Sequence, residues 1–471
     1  MDCERELARY AAEVEYREFP RESIDIVKKV ILTVLGTTIA GATAEGCEAI
    51  VAQVREWGGR EEATILLHGG KVPAHNAVLA NSVMARALDF CDAMSPGIHI
   101  GSSAVPTALA TAELVGGCSG EEFLAAIAAG SEIAARMNGI SYYDGFDPTG
   151  VCGVFAAAVV AGRMLRLDSR QMLHALALAF NRAGGSFQSN VDGSLAVRAI
   201  QGFVSQAGIV CAQLAKRGIT GPRNFLEGIY GYFHLYARGR RDPQRIVGDL
   251  GKRFDLHQTI FKKYPSCGCT LASTDAVLEL MEQKDLSADN VARVDIRVSP
   301  YAYKLAGHRF EIGDTPKVNA QFSIQYCAGN ALLRGGSKLN HFDETSILDE
   351  KLQGLLQKIH VFSDPALGAP CEKGASGSTH LSVRLEVTTT EGAVYRNAVD
   401  IPRGNPKNPL AHEEHMERFR DCVKYAGKGL ANLNIDRLLL EIEQLEHTKD
   451  VRVLVSLLLP NQDTSSSLEE A

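Results

Sequence analysis

The sequence predicts a mainly α-helical protein in which a smaller α+β domain is inserted between two helical segments. Apolar residues recur three and four apart through the first 255 residues. After residue 255 they begin to alternate with polar residues, as they do in 294–298. The length of 471 residues exceeds that of one ordinary domain, so at least two are expected. Helical periodicity returns after the Pro/Gly-rich segment 402–410, which predicts that the last helices rejoin the first ones.

Local signals mark the predicted helices of the first domain. Ser23 is a candidate cap for the first long helix, Ser119 and Glu122 form a capping-box pattern, and Asp168 is a candidate cap for a later helix. These helices are rich in Ala and Gly, which predicts close helix packing. The predicted division is a helical domain of residues 1–255 and 408–460, an α+β domain of residues 256–407 and a polar tail of residues 461–471.

The second domain is predicted from alternation and turn chemistry. Strands are expected around Val294 and Val383, and Glu391-Gly392 is expected to turn the second strand into a hairpin. Helices 273–283 and 324–333 are also predicted in this domain. Helices 412–425 and 435–459 follow the Pro/Gly-rich segment and belong to the first domain.

Composition narrows the class of protein. Hydrophobic residues make up 45% and charged residues 22%, which is typical of a globular protein. A net charge of -7 argues against a nucleic-acid partner. The charged N-terminus does not resemble a signal peptide, and no apolar stretch approaches the roughly 18 residues of a membrane span. Eleven singly scattered cysteines favour reduced thiols, and hence a cytoplasmic location.

The segment DFCDAMSPGIH is the first candidate site. It places Asp89, Asp92 and His99 close together beside a helix end, and two acids with a histidine can form an acid/base site. The alternative is that both acids cap or solvate a loop.

Three further segments carry candidate groups. Asp147 precedes a helix start that could face an anion, or it simply caps that helix. Arg198 could bind a carboxylate through its planar guanidinium, or form a surface ion pair. Lys262 could bind a carboxylate. Cys267 and Cys269 are too few to hold zinc, so they are expected to be buried thiols and no metal is predicted.

Five segments, in this order, resemble the MmgE/PrpD family over residues 5–460: NAVLANSVMARALDFCDA, GFDPTGVCGVFAAAVVAGRMLRL, LAKRGITGPRNFLEG, KKYPSCGCT and AQFSIQYCAGNALL. The resemblance implies a helical domain formed by both chain ends, an inserted α+β domain and an active site in the cleft between them. It implies a homodimer that uses no metal or cofactor. Family members dehydrate, decarboxylate or epimerise small polycarboxylates such as 2-methylcitrate, cis-aconitate and iminodisuccinate.

The resemblance also assigns individual positions. Asp89, Asp92 and His99 match the family's DFDDT…HP stretch, Lys262 matches its KxYPSC stretch, and Tyr326 matches its tyrosine.

Several positions depart from the family pattern. A family threonine is Ala93 here, the histidine of the GFHPT motif is Asp147, and a histidine after the KxYPSC stretch is Leu271. Val197 or Arg198 stands where a family lysine is expected. These departures argue against cis-aconitate decarboxylation and weaken the case for methylcitrate dehydration.

The resulting hypothesis is an enzyme that abstracts a proton next to a carboxylate or carbonyl of a small carboxylated metabolite, most simply a hydratase or dehydratase. His99 would be the acid/base oriented by Asp89, and Tyr326 the opposite proton donor. The carboxylates would be bound by Lys262 and Arg198, with Asp92 and Asp147 as further substrate-binding residues. An epimerase is the first alternative, and a non-catalytic ligand-binding homologue the second.

Overall fold

The computed structural model of the protein describes residues 2–368, 381–427 and 434–459. Most of these residues lie in α-helices, so the mainly α class is confirmed. The predicted polar tail, residues 461–471, lies outside the described residues. No helix among the described residues is both long enough and apolar enough to cross a membrane.

The helices fall into three groups along the chain. The first group is α1 (Cys3–Glu13), α2 (Arg21–Gly41), α3 (Cys47–Trp57), α4 (Ala74–Arg86), α5 (Gly101–Leu114), α6 (Gly120–Ile140), α7 (Pro148–Met164), α8 (Ser169–Phe180), α9 (Gln188–Val191), α10 (Ala196–Lys216), α11 (Tyr232–Tyr236) and α12 (Pro243–Val247). The second is α13 (Leu271–Gln283), α14 (Pro300–Ala306), α15 (Pro316–Gln321), α16 (Ile324–Arg334), α17 (Glu344–Ile347) and α18 (Glu350–Leu356). The third is α19 (His412–Ala426), α20 (Ile435–Glu443) and α21 (Arg452–Leu457).

In the described residues, the strands form one four-stranded sheet and two short ribbons. They are β1 (Ala63–Thr64), β2 (Lys71–Val72), β3 (Asp92–Ala93), β4 (Ile260–Phe261), β5 (Val291–Val298), β6 (Ile359–Ser363), β7 (Val383–Thr389) and β8 (Val394–Val399). The sheet has the order β6-β5-β7-β8; β5 runs parallel to β6 and antiparallel to β7, and β7 and β8 form the predicted hairpin. Alternate residues of β7 are buried, which confirms the period of two.

Two large apolar cores organise these elements, and a smaller third one lies among α3, α4 and α10. The first contains side chains of the N-terminal helices together with Phe419, Leu438 and Leu454 from the third group. α19 packs on α2, where Phe419 lies against Gly36. The second core lies between the four-stranded sheet and helices such as α13 and α16. The last helices thus rejoin the first ones in space, while the exact domain boundaries stay a prediction.

Most of the helix signals read from the sequence appear in the structure. The capping boxes at Ser119 and Asp168 are both formed. Small residues do permit close packing: a Cβ at Gly208 of α10 would lie 2.3 Å from the Cβ of Ala157 in α7. The Ser23 cap was wrong. α2 begins two residues earlier, directly after Pro20, and the Ser23 hydroxyl instead hydrogen-bonds His257.

The helix predicted over residues 435–459 is interrupted. The chain leaves helical geometry between α20 and α21, where the Thr448 carbonyl accepts a hydrogen bond from the Gly120 backbone N–H at the start of α6. Asp450 then accepts from the Arg452 backbone N–H as α21 begins. Tertiary contact with α6 therefore overrides the apolar periodicity of this segment.

The β3–β4 ribbon joins the two halves of the candidate site. Asp92 pairs with Phe261 and Ala93 pairs with Ile260. The segment after α4 therefore lies alongside the segment that enters the second core. This short pairing brings residues about 170 positions apart in the sequence into one place.

Candidate active site

A cavity lies where the two cores meet. It is lined by residues after α4, the start of α9, the β4 segment and the second core. Of the seven predicted site residues, Asp89, His99 and Lys262 line it, and Asp92, Asp147, Arg198 and Tyr326 do not. Its volume is about 40 Å³, enough for a few water molecules.

Asp89 is the centre of a buried charge cluster. It follows the end of α4 with φ 49, a left-handed conformation that Asp tolerates better than most residues. This turn directs its carboxylate back to Arg86, three residues earlier, and Oδ1 accepts a charge-assisted hydrogen bond from that guanidinium. The ammonium of Lys262 donates to the same Oδ1 at 2.7 Å and to the Asp89 carbonyl at 3.0 Å.

Two cations therefore hold one carboxylate ionised. Burial alone would raise the pKa of Asp89, but Arg86 and Lys262 outweigh it and lower the pKa to about 2. The second carboxylate oxygen, Oδ2, is buried and has no hydrogen-bond partner among the described residues. A buried acceptor without a donor is costly, so this oxygen is suited to receive a hydrogen bond from a ligand.

His99 lies beside this cluster in the loop before α5. Its Nδ1 is 2.8 Å from the Asp92 carbonyl oxygen and 3.3 Å from the Cys91 sulfur. The carbonyl can only accept, so Nδ1 carries a proton. Burial lowers the pKa of His99 well below its usual value, and the charges of Arg86 and Lys262 lower it further. The ring is therefore neutral at neutral pH, and Nε2, 3.9 Å from Asp89 Oδ1, is available as a base.

This geometry refines the predicted role of Asp89. The tautomer of His99 is set by the backbone of Asp92 rather than by the side chain of Asp89. The Asp89 carboxylate is instead placed to stabilise the imidazolium that forms once Nε2 has taken a proton.

Comparison with known proteins adds family information to this geometry. The MmgE/PrpD N-terminal domain model matches residues 5–244, and the MmgE/PrpD C-terminal domain model matches residues 264–439. The chain belongs to the MmgE/PrpD family. The family predicted from the sequence motifs is thus confirmed.

Named relatives are similar along most of their length. The chain is 25% identical to the cis-aconitate decarboxylase of Homo sapiens over 92% of this chain and 89% of the relative. It is 22% identical to the cis-aconitate decarboxylase of Aspergillus terreus, over 96% of this chain and 95% of the relative. It is 21% identical to the 2-methylcitrate dehydratase of Escherichia coli O157:H7, over 93% of this chain and 98% of the relative.

Sequence reasoning missed several polar residues of the cavity, among them Arg86 and Asn190. Arg86 was treated only as part of a helix, although its spacing of three from Asp89 is a common ion-pair spacing. Asn190 of α9 also lines the cavity, and its Oδ1 is buried with no partner among the described residues. No sequence signal distinguished Asn190 from an ordinary loop amide. Cys267 and Cys269 are buried free thiols, as predicted, and both line the cavity.

Two of the predicted site residues that lie outside the cavity have other partners. Arg198 donates from Nη1 to the Glu45 carbonyl at 2.5 Å. The Tyr326 hydroxyl donates to the His341 carbonyl at 2.5 Å, because its ring packs in the second core against Phe310 and Phe342. This position does not support Tyr326 as a proton donor to a ligand in the cavity.

The two remaining acids cap helices. Asp92 Oδ2 accepts from the Gly101 backbone N–H at 2.9 Å, at the start of α5. Asp147, which replaces the family histidine, accepts from the Thr149 backbone N–H at 2.7 Å, at the start of α7. Burial raises the pKa of both acids to about 6 despite these hydrogen bonds. The alternative of helix capping is the one that the structure shows.

The raised pKa of Asp147 gives a stability prediction. Its folded-state pKa of about 6 exceeds the ordinary value of 3.8, so its protonation stabilises the fold below pH 4, and this contribution is lost as the pH rises through 6. Asp147→Asn keeps a capping oxygen without the buried charge. We expect it to increase the free energy of unfolding by up to about 3 kcal/mol at pH 7.5 and by only about 1 kcal/mol at pH 4.5. Urea unfolding at both pH values measures this, and a variant destabilised at pH 7.5 would contradict it.

Proposed function

We propose that this protein is a lyase that removes the proton next to the carboxylate of a small carboxylated metabolite and eliminates water from it. One observation carries the proposal: His99, whose Nδ1 contacts the Asp92 carbonyl and leaves Nε2 free to act as a base, lines the same cavity as Arg86, Asp89 and Lys262. A general base beside fixed cations is the arrangement that carbanion chemistry next to a carboxylate needs.

The proposed reaction follows from the atoms that face the cavity. His99 Nε2 takes the proton from the carbon next to the substrate carboxylate. The cations of Arg86 and Lys262 stabilise the negative charge that develops on that carboxylate. The imidazolium formed lies near Asp89 and returns its proton to the departing hydroxyl, so water leaves and His99 is neutral again. One histidine thus serves as base and then as acid.

An epimerase is less well supported than a dehydratase. Epimerisation by two groups needs a proton donor on the face opposite the base, and Tyr326, predicted for that position, does not line the cavity. Elimination needs only one acid/base, and His99 can serve as both. A non-catalytic binding protein would have no need of a neutral histidine beside a buried charge cluster, so it is the weaker alternative.

The proposal includes three properties beyond the reaction. We propose catalysis without a metal, since no group of three His, Cys, Asp or Glu suited to a metal occurs in the described part of the chain. The buried free thiols fit the reducing cytoplasm.

A homodimer is supported by the apolar outer face of α10, where Phe203 and Leu214 are 54% and 38% exposed. Sedimentation velocity tests the dimer, and a monomer at micromolar concentration would contradict it.

Proton–deuterium exchange tests the reaction class. In D₂O, hydroxy acids with a proton next to the carboxylate are incubated with the protein and followed by NMR. We expect exchange at that carbon together with loss of water, and the same rate after treatment with a chelator. Exchange without elimination would instead support the epimerase. Binding without any exchange would support the ligand-binding homologue, and activity lost with a removed metal would contradict the metal-free mechanism.

A further inference from the structure

The charged groups that line the cavity sum to a small positive charge. Arg86 and Lys262 are cations, Asp89 is an anion, and His99 is neutral. Both cations already share the Asp89 carboxylate, so together the four side chains carry a surplus of one positive charge. Among the described lining residues, that surplus balances one substrate carboxylate and leaves no cation for a second.

In the described part of the chain, charged groups near the cavity add no further cation to its lining. Asp92 and Asp147 do not line the cavity, and their carboxylates cap helices. Arg198, the other buried cation predicted to bind a carboxylate, does not line the cavity and donates to the Glu45 carbonyl. Lys263, next to Lys262 in the sequence, lines a different cleft and lies 3.8 Å from Glu414.

Two polar atoms of the cavity suit a hydrogen-bond donor. Asp89 Oδ2 and Asn190 Oδ1 are both buried acceptors without a partner among the described residues. A substrate hydroxyl can donate to such an oxygen, whereas a second carboxylate can only accept and would be repelled by it.

Most of the other lining side chains are apolar. They come from both cores and include Met94, Phe187, Ile260, Leu305 and Phe322. An ionised group placed against this wall would lose its hydration without gaining a partner. A hydrocarbon substituent placed there would be stabilised by its removal from water.

We infer that the substrate is a hydroxy monocarboxylate with an apolar substituent, rather than a di- or tricarboxylate. Its carboxylate is held by Arg86 and Lys262, its hydroxyl by the free acceptor oxygens of Asp89 and Asn190, and its substituent by the wall that contains Met94, Leu305 and Phe322. This inference rests on the proposed function, because it places the substrate in the same cavity, and it narrows the substrate class.

A matched pair of hydroxy acids tests the inference. 3-Hydroxybutyrate and malate differ at one position only: 3-hydroxybutyrate has a methyl group where malate has its second carboxylate. Isothermal titration calorimetry measures the affinity of the His99→Gln variant for each acid, because this variant binds the substrate without turning it over. We expect 3-hydroxybutyrate to bind at least tenfold more tightly than malate or citrate. Each methylene added in 3-hydroxypentanoate and 3-hydroxyhexanoate should tighten binding about fourfold.

A variant of the apolar wall provides the control. Leu305→Arg adds a cation at the wall and should shift the preference toward malate, whereas the same change at Leu348, which is exposed on the surface, should not. If Leu305→Arg fails to fold in a thermal melt, Leu305→Ala replaces it and should reduce the gain per methylene.

The outcomes separate this inference from the proposed function. Equal or tighter binding of malate or citrate overturns the substrate class, as does the absence of binding by the whole monocarboxylate series. Preferential binding of the monocarboxylates without proton exchange by the unmodified protein overturns the proposed reaction and leaves the substrate class intact. Proton exchange with malate or citrate alone would overturn the substrate class and leave the proposed reaction intact.

Discussion

The His99→Gln variant should fold and bind carboxylates as the unmodified protein does, yet turn over its substrate about 10²–10⁴-fold more slowly. Glutamine can still donate a hydrogen bond to the Asp92 carbonyl, so the loop before α5 keeps its main contact. What it lacks is a basic nitrogen facing Arg86 and Lys262. The loss should therefore appear in kcat, with little change in the affinity for the substrate.

Exchange or dehydration rates, measured beside a thermal melt, give the result. His174→Gln is the matched control, since His174 lies on α8 and does not line the cavity. Tyr326→Phe should also retain most of the activity, because the Tyr326 hydroxyl is committed to a backbone carbonyl. Near-normal turnover by a folded His99→Gln variant would remove His99 from the mechanism.

Asp89→Asn should lower the free energy of unfolding by about 3–5 kcal/mol at pH 7, because it leaves two buried cations without their anion. The pKa of Asp89, lowered to about 2, lies below the ordinary value of 3.8. The stabilisation by its carboxylate is therefore present above pH 4 and is lost as the pH falls toward 2. Activity should fall as well, since the imidazolium of His99 loses its neighbouring carboxylate.

Asp144→Asn is the control for this variant, and urea unfolding measures the free energy of unfolding of both. Asp144 forms an ion pair with Arg238 in which both side chains are more than half exposed, so its loss should cost less than about 1 kcal/mol. If both substitutions lowered the free energy of unfolding by the same small amount, Asp89 would not be the anion on which Arg86 and Lys262 depend.

The helical parts of the fold were predictable because their signals are local. Capping at Ser119 and Asp168 depends on residues three apart in the sequence. The alternation in β7 and the turn at Gly392 are equally local. The break between α20 and α21 was not predictable, because it depends on contact with α6, which lies over 300 residues earlier.

The site was predictable in part for the same reason. Asp89 and His99 lie in one segment, but the position of Lys262 beside them depends on a ribbon of two-residue strands, too short to leave a periodicity. Tyr326 matched a family motif, yet the packing of its ring in the second core directs the hydroxyl away from the cavity. Sequence spacing carries no information on such side-chain directions.

The central claim is that His99 is a neutral base with its proton on Nδ1. Nitrogen-15 NMR of histidine-labelled protein, with His99→Gln to assign the signal, reports the protonation of each ring nitrogen directly. We expect a protonated Nδ1 and an unprotonated Nε2 at pH 7.5, with no conversion to imidazolium down to pH 6. A proton on Nε2 of the neutral ring, or an imidazolium at pH 7.5, would contradict the account.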